Sequence, residues 1–233
     1  MSRRFGALVL AIVAATGLLA SPVGTPEVRA AAPDLSIVTD ARYDVQPAER
    51  RVRVTVDMVL RNRLKDTSTR RYYFDHAFLA VQPGASAPKF TRLGSGSGSP
   101  KARITKATST ATTIRIDLGS RLYSGKSAKY RLVFDIVDKG GAATRQVRVG
   151  DSLVAFPVWA FASGSTSGST VRVDFPAGYR VEVASGDIPA PTTAADGTVV
   201  LRTGSLKSPL TFFAFLVADR EGATADRTVE ASV

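Results

Sequence analysis

Residues 153–183 read LVAFPVWAFASGSTSGSTVRVDFPAGYRVEV, and this stretch holds the chain's only Trp and two Phe-Pro pairs on either side of a Gly/Ser turn. The apolar run Leu153 to Phe161 is well short of the ~20 residues a membrane-spanning helix needs, and it carries Pro157. It is expected to form a buried strand that bends or ends at the proline. Beyond the turn, Val171, Val173 and Phe175 alternate with Arg172 and Asp174, the period-2 pattern of a half-buried strand. Pro176-Ala177-Gly178 then turns the chain into Tyr179, Val181 and Val183. With no His, no Cys and only Asp174 and Glu182 as acids, the segment offers packing rather than chemistry. Trp159 is expected to plug a core, the alternative being an exposed aromatic binding platform.

Working upstream, Leu35 to Val45 reads as a first strand, and Pro47-Ala48-Glu49 turns it into Arg51 to Asn62. In that second strand Val52, Val54, Val56, Met58 and Leu60 face a core, while Arg51, Arg53, Thr55, Asp57 and Arg61 face away. The two are expected to pair as an antiparallel hairpin. After a polar turn at Lys65 to Arg70, Arg71 to Val81 reads as an aromatic strand with Tyr72, Phe74, His76 and Phe78 on one face. Gln82 to Pro100, with Pro83, Pro88 and GSGSGSP, reads as a flexible loop within one domain. Further strands are expected at Ala102 to Ala107, Thr112 to Leu118, Ala128 to Val137 and Thr198 to Thr203. Turns fall at Ser109 to Ala111, at Gly125 and at Gly140-Gly141. Leu210 to Val217, apolar at every other position and between, is expected in the middle of a sheet or under a second layer. No segment sustains a helical period and no repeat is visible. About ten short strands separated by Gly, Pro and Ser predict an all-β domain, a β-sandwich or curled antiparallel multi-sheet.

The N-terminus carries an address. Arg3 and Arg4 precede an apolar run, Gly6 to Ala20, and Val28-Arg29-Ala30 supplies a small-residue cleavage site, so residues 1–30 read as a secretory signal peptide and 31–233 as a single domain. The mature chain is expected outside the cell or in the cell envelope, without a membrane span. The chain has no Cys, so no disulfide supports the fold and the core must do so alone. Its 31 basic residues against 20 acids give a net charge of +11. Loss of Arg3, Arg4, Arg29 and Glu27 with the leader leaves 28 against 19, or +9. For an exported protein that balance favours an anionic cell-envelope polymer as a partner over nucleic acid. The competing reading is a solvated sheet face, since the charges alternate along strands rather than forming a block.

One His and no Cys remove most metal sites and most nucleophile–base pairs. His76, between Phe74 and Phe78, is expected to be a hydrogen-bonded core histidine. Neither Gly94 to Gly98 (GSGSG) nor Gly164 to Gly168 (GSTSG) matches Gly-x-Ser-x-Gly, and Pro88 denies Ser86 and Lys89 the helical turn that a Ser-x-x-Lys pair uses. A carboxylate pair is conceivable, but Asp75, Asp117, Asp135 and Asp174 sit at outward positions of alternating strands. No catalytic, cofactor-binding or metal-binding residue is therefore expected within this chain, and no cofactor.

With the strands laid out, their order resembles the N-terminal β-domain of aminopeptidase N-type zinc metallopeptidases, the gluzincins. RYDVQPAERRVRVTVDMVLRN is similar to that domain's first hairpin, and IRIDLGSRLYSGKSAKYRLVFDI to its strand-loop-strand with a central glycine, here Gly125. FPVWAF followed by STVRVDFPAGYRVEVASG resembles the family's Phe-Pro segment, strand and proline turn, and PLTFFAFLVADREG its closing apolar strand. The likeness covers Arg42 to Gly222. The family's Gly-x-Met-Glu-Asn segment and HExxH zinc helix are not in this sequence, and Trp159-Ala160-Phe161 replaces its acidic Asp-Glu-Pro. Gln146 stands where the family often places a glutamine that meets the substrate's amino end, without the surrounding Ala-Arg pattern. The resemblance implies a non-catalytic domain that packs on a catalytic unit, a downstream peptidase domain being the implied partner, and helps wall its substrate cleft. An independent envelope-binding module with basic faces is the alternative.

Overall fold

The computed structural model describes residues 34–140, 146–164 and 166–222. The expected leader and its cleavage site, Gly141 and the chain beyond Gly222 lie outside the described residues. Fourteen strands are present among them: β1 (Leu35–Gln46), β2 (Arg51–Asn62), β3 (Tyr73–Val81), β4 (Ala85–Leu93), β5 (Lys101–Ala107), β6 (Thr112–Tyr123), β7 (Ser127–Val137), β8 (Arg148–Val149), β9 (Leu153–Trp159), β10 (Thr170–Phe175), β11 (Tyr179–Gly186), β12 (Thr192–Thr193), β13 (Val199–Arg202) and β14 (Phe213–Arg220). They form a seven-stranded sheet in the order β12-β13-β10-β1-β2-β7-β4, a four-stranded sheet β11-β14-β9-β8 and a three-stranded sheet β3-β6-β5. The fold is all-β, as expected.

The hairpin β1-β2 is its spine. Leu35 pairs with Asn62 and Gln46 with Arg51, in uninterrupted antiparallel register. Pro47 to Glu49 forms a single 3-10 turn, and Arg50, at φ 52°, closes it by donating its N–H to Pro47 O at 2.9 Å. The alternation expected for β2 holds: Val52, Val54, Val56, Met58 and Leu60 are all buried. One core lies between the large sheet and the two small ones. Tyr43 of β1 packs on Phe156 of β9, which meets Phe175 of β10, with ring centroids 6.2 and 6.1 Å apart. Ile114, Ile116 and Leu118 of β6 are sealed under the three-stranded sheet.

The Gly/Ser turn between β9 and β10 has a structural task. β10 runs parallel to β1 but begins opposite Asp40, and ahead of it the first part of β1 meets only an isolated bridge, Val38 to Ala162, rather than a strand among the described residues. The turn's serines take its place: Ile37 N–H donates to Ser163 Oγ (2.7 Å) and Thr39 N–H to Ser169 Oγ (3.0 Å). Both serines are fully buried. Leaving those backbone donors unpaired would cost about 1–3 kcal/mol each.

Several expectations are corrected. Gln82 to Pro100 is not one loop: Ala85 to Leu93 forms the edge strand β4 on β7, with an irregularity between Ser86 and Lys89 where Ala87 adopts φ 48°. Pro88 disguised it, and an edge strand is where a missing N–H is tolerated. Phe90 is buried against Tyr130, rings stacked at 4.8 Å. The true loop, 94–100, lies against β6, because a Cβ on Gly98 would sit 2.1 Å from Gly119 O. Pro157 neither ends nor caps its strand. β8 pairs only with Val154 and Ala155, so at Pro157 that side of β9 is an edge and no ladder bond is lost. Trp159 is half-buried at the strand's end rather than a core plug. Residues 209–211 form a 3-10 turn before β14 begins at Phe213.

Candidate functional site

His76 lies on β3, where the pairing with β6 slips between Phe74 and His76. That irregularity breaks the expected aromatic face: Phe74 points into the core, while His76 and Phe78 are turned to the outer face of the three-stranded sheet. His76 is accordingly not a core histidine. Its Nδ1 is 2.5 Å from Asp75 Oδ1, and its ring meets Phe78 edge-on at 5.5 Å. The local pattern resembles a His–carboxylate pair, but no nucleophile is hydrogen-bonded to the imidazole among the described residues, as a triad requires.

Apart from Asp75, which meets His76, the carboxylates expected at solvent-facing positions are engaged with arginines. Asp174 is buried, its two oxygens each 2.7 Å from Nε of Arg42 and Arg172, on the neighbouring strands β1 and β10. Asp135 on β7 holds Arg51 (3.2 Å) and Arg53 (3.0 Å) of β2, and Asp57 on β2 holds Arg131 of β7 through both oxygens at 2.6 Å. Asp117 pairs with Arg115 at 2.8 Å. Arg42–Asp174, Arg51–Asp135, Arg53–Asp135 and Arg131–Asp57 tie neighbouring strands of the large sheet, while Arg172–Asp174 and Arg115–Asp117 lie within one strand, so these acids act as structural counter-ions rather than as a free pair poised over a substrate. Among the described residues no group of three or more His, Asp or Glu side chains is placed to hold a metal ion.

A polar device inside the sandwich was invisible to sequence reading. Tyr43 is fully buried, and its hydroxyl donates to Trp159 O at 2.7 Å while accepting from Gln82 Nε2 at 2.6 Å and Trp159 N–H at 3.1 Å. Burial pushes its pKa above the usual tyrosine value, against the opposing pull of those hydrogen bonds. Gln82 is buried too, and its Nε2 also reaches Pro157 O at 3.3 Å. The network clamps the end of β9, with Trp159, to the large sheet.

The outer face of the four-stranded sheet is the least ordinary surface. Along β14 Ala214, Leu216 and Ala218 point inward, so Phe213, Phe215 and Val217 point out, opposite Trp159, Pro157 and Ala155 of β9. Phe213 is 44% exposed and Leu210, in the preceding turn, 38%. β14 lies between β11 and β9 in the middle of its sheet, one of the two placements expected for its doubly apolar sequence; its inner face is in the core, and on the outer face Phe213 is exposed while Phe215 and Val217 are half-buried. Two shallow open clefts, of about 430 and 380 Å³, lie elsewhere: one is bounded by Arg50, Asp138, Arg148 and Leu153, the other by Asp40, Asp57, Lys129 and Thr170. His76 lies in neither. Gln146 is exposed just ahead of β8.

No protein-family model and no curated protein matches this sequence. Among solved structures, the chain is similar to the M1 zinc metallopeptidase from Deinococcus radiodurans, at 17% identity and a TM-score of 0.43, over 79% of this chain and 42% of that one. It is likewise similar to native yeast LTA4 hydrolase, at 17% identity and a TM-score of 0.47, over 80% of this chain and 29% of that one. The same yeast enzyme in complex with Bestatin gives 16% identity and a TM-score of 0.49 over the same shares. The chain spans less than half the length of each of these solved proteins.

Proposed function

We propose that this chain is an exported, non-catalytic β-domain that packs through the outer face of its four-stranded sheet on the catalytic unit of a gluzincin-like zinc peptidase, helping to wall the substrate cleft. The carrying observation is the apolar outer face of β9 and β14, where Phe213, paired with Trp159, is 44% exposed and Trp159 and Phe215 are half-buried. A face that costs solubility when bare is explained by a partner that covers it. An aromatic cluster around a half-buried Trp is also the composition of an interface centre. The engagement of Asp57, Asp117, Asp135 and Asp174 with arginines agrees with a supporting rather than a hydrolytic role.

The test pairs the mature chain with an HExxH-containing unit, supplied by whatever reading frame continues or adjoins its own, and measures association together with hydrolysis of an aminoacyl reporter. The mature chain alone is expected to be inactive, with or without added zinc. Association is expected to fall at least roughly tenfold on Phe213→Asp, a charge placed in a desolvated aromatic contact. Turnover by the chain alone that a chelator removes overturns the non-catalytic reading. An undiminished complex with Phe213→Asp overturns the docking face.

A further inference from the structure

On the outer face of the seven-stranded sheet Arg42, Arg51, Arg53, Arg131 and Arg172 are each held by a carboxylate. At one end of the three-stranded sheet the opposite holds. Arg63, Lys65, Arg70 and Arg71, in the connector between β2 and β3, Arg121 on β6 and Lys126 in the turn after it are all exposed, and none has a carboxylate oxygen within 4.0 Å among the described residues. The two segments are one surface. Ser124 N–H donates to Tyr72 O (3.1 Å), Ser124 Oγ to Leu64 O (2.6 Å) and Gly125 N–H to Asn62 O (3.0 Å). Asn62, fully buried, ties both from beneath by donating to Tyr72 O and Leu122 O at 3.2 and 2.9 Å. Arg121 lies over the ring of Tyr73, 4.6 Å from its centroid, and Tyr73 meets Tyr123, itself 42% exposed, at 5.9 Å. Of the acids nearby, Asp66 accepts from Tyr72 N–H at 2.8 Å, Asp75 holds His76, and Asp34 adjoins Arg63, whose N–H donates to Asp34 O at 2.7 Å.

We infer that this end of the three-stranded sheet is a docking surface for a linear phosphodiester polymer of the cell exterior. Six cations held within one hydrogen-bonded surface repel one another, a cost that a polyanion laid across them offsets. Four of the six are arginines, whose planar fork matches phosphate oxygens in a bidentate way. The surface is a loop end that lines neither of the two clefts described above, which fits a chain laid across several cations better than a single small anion. The expected signal peptide places the polymer outside the cell. One exposed tyrosine provides too little stacking area to favour single-stranded nucleic acid, whose binders stack successive bases on aromatic rings. This surface lies on a different sheet from the apolar face of β9 and β14, and the inference stands independently of the peptidase reading.

The experiment measures binding of the mature full chain to poly(glycerol phosphate) by sedimentation or fluorescence anisotropy, over a range of salt concentrations. Vesicles containing phosphatidylglycerol, a single-stranded oligonucleotide and polyglutamate serve as competing probes. Binding to the polymer is expected to weaken steeply as salt rises. The combined variant Arg63→Ala, Arg70→Ala, Arg71→Ala, Arg121→Ala is expected to bind at least roughly tenfold more weakly at unchanged thermal midpoint. The control Lys89→Ala, Lys101→Ala, Arg103→Ala, Lys106→Ala removes as much charge from other exposed strand positions and is expected to stay within about twofold. Equal losses from both variants reduce the effect to net charge and overturn the inference. So does absence of binding at low salt, or tighter binding to vesicles, oligonucleotide or polyglutamate. If the fourfold variant unfolds, Arg70→Glu with Arg71→Glu in the exposed connector replaces it under the same criterion.

Discussion

Replacing Tyr43 by Phe isolates the clamp between the large sheet and β9. The ring keeps its contact with Phe156, so the change is confined to one hydroxyl, and that hydroxyl serves three partners: Trp159 O, Trp159 N–H and Gln82 Nε2. Without it the Trp159 backbone loses both contacts and Gln82 keeps only the 3.3 Å bond to Pro157 O. One or more partly buried polar groups left unpaired correspond to a loss of about 1–3 kcal/mol. Gln82→Leu provides the contrast. Gln82 Oε1 meets no protein donor, and in its absence Tyr43 still satisfies both Trp159 groups, so a loss below about 1 kcal/mol is expected. Urea unfolding of the wild type, both single variants and the double variant gives the coupling directly. The alkaline limb is a second readout. Because burial raises the pKa of Tyr43 in the folded state, the unfolded chain releases this proton near pH ~10 while the folded chain retains it. Wild-type stability should therefore fall as pH rises above ~10, by up to about 1.4 kcal/mol per pH unit more steeply than that of Tyr43→Phe. Equal alkaline slopes, or a larger loss from Gln82→Leu than from Tyr43→Phe, would refute the reasoning.

Two further outcomes test the frame. Asp174→Asn should cost about 1–2 kcal/mol, discounted for the solvent exposure of Arg42 and Arg172, whereas Asp57→Asn, with both partners well exposed, should cost less than about 0.5 kcal/mol; urea midpoints at low and high salt separate them. Gly98→Ala should lower the thermal midpoint more than Gly94→Ala, since both have positive φ but only at Gly98 does the added methyl meet backbone, at 2.1 Å from Gly119 O; equal shifts would mean that the loop is not seated on β6.

Where a strand sits in one layer with one wet face, its period is written in the residues. The β1-β2 hairpin and its core set, Val52 through Leu60, follow from alternation alone, as does β10 with Val171, Val173 and Phe175 inside. The all-β class follows from the absence of helical period, and the shortage of metal-site and catalytic chemistry from one His and no Cys. What depends on partners distant in the chain was decided only in three dimensions. A slipped register at His76 sends Phe74 in and Phe78 out, because a one-residue shift in a period-2 element exchanges its faces. Pro88 and Pro157 look like breaks until the neighbouring strand is known to be absent on one side. Asp174 looks solvated until β1 brings Arg42 beside it, and the outer face of β14 looks fully buried until Phe213 is found exposed at its start. The two surfaces of functional interest belong to this second class. Seven residues of connector separate Arg63 from Arg71, and forty-nine more separate that segment from Arg121, so only the Asn62 and Ser124 hydrogen bonds reveal that these cations form one surface.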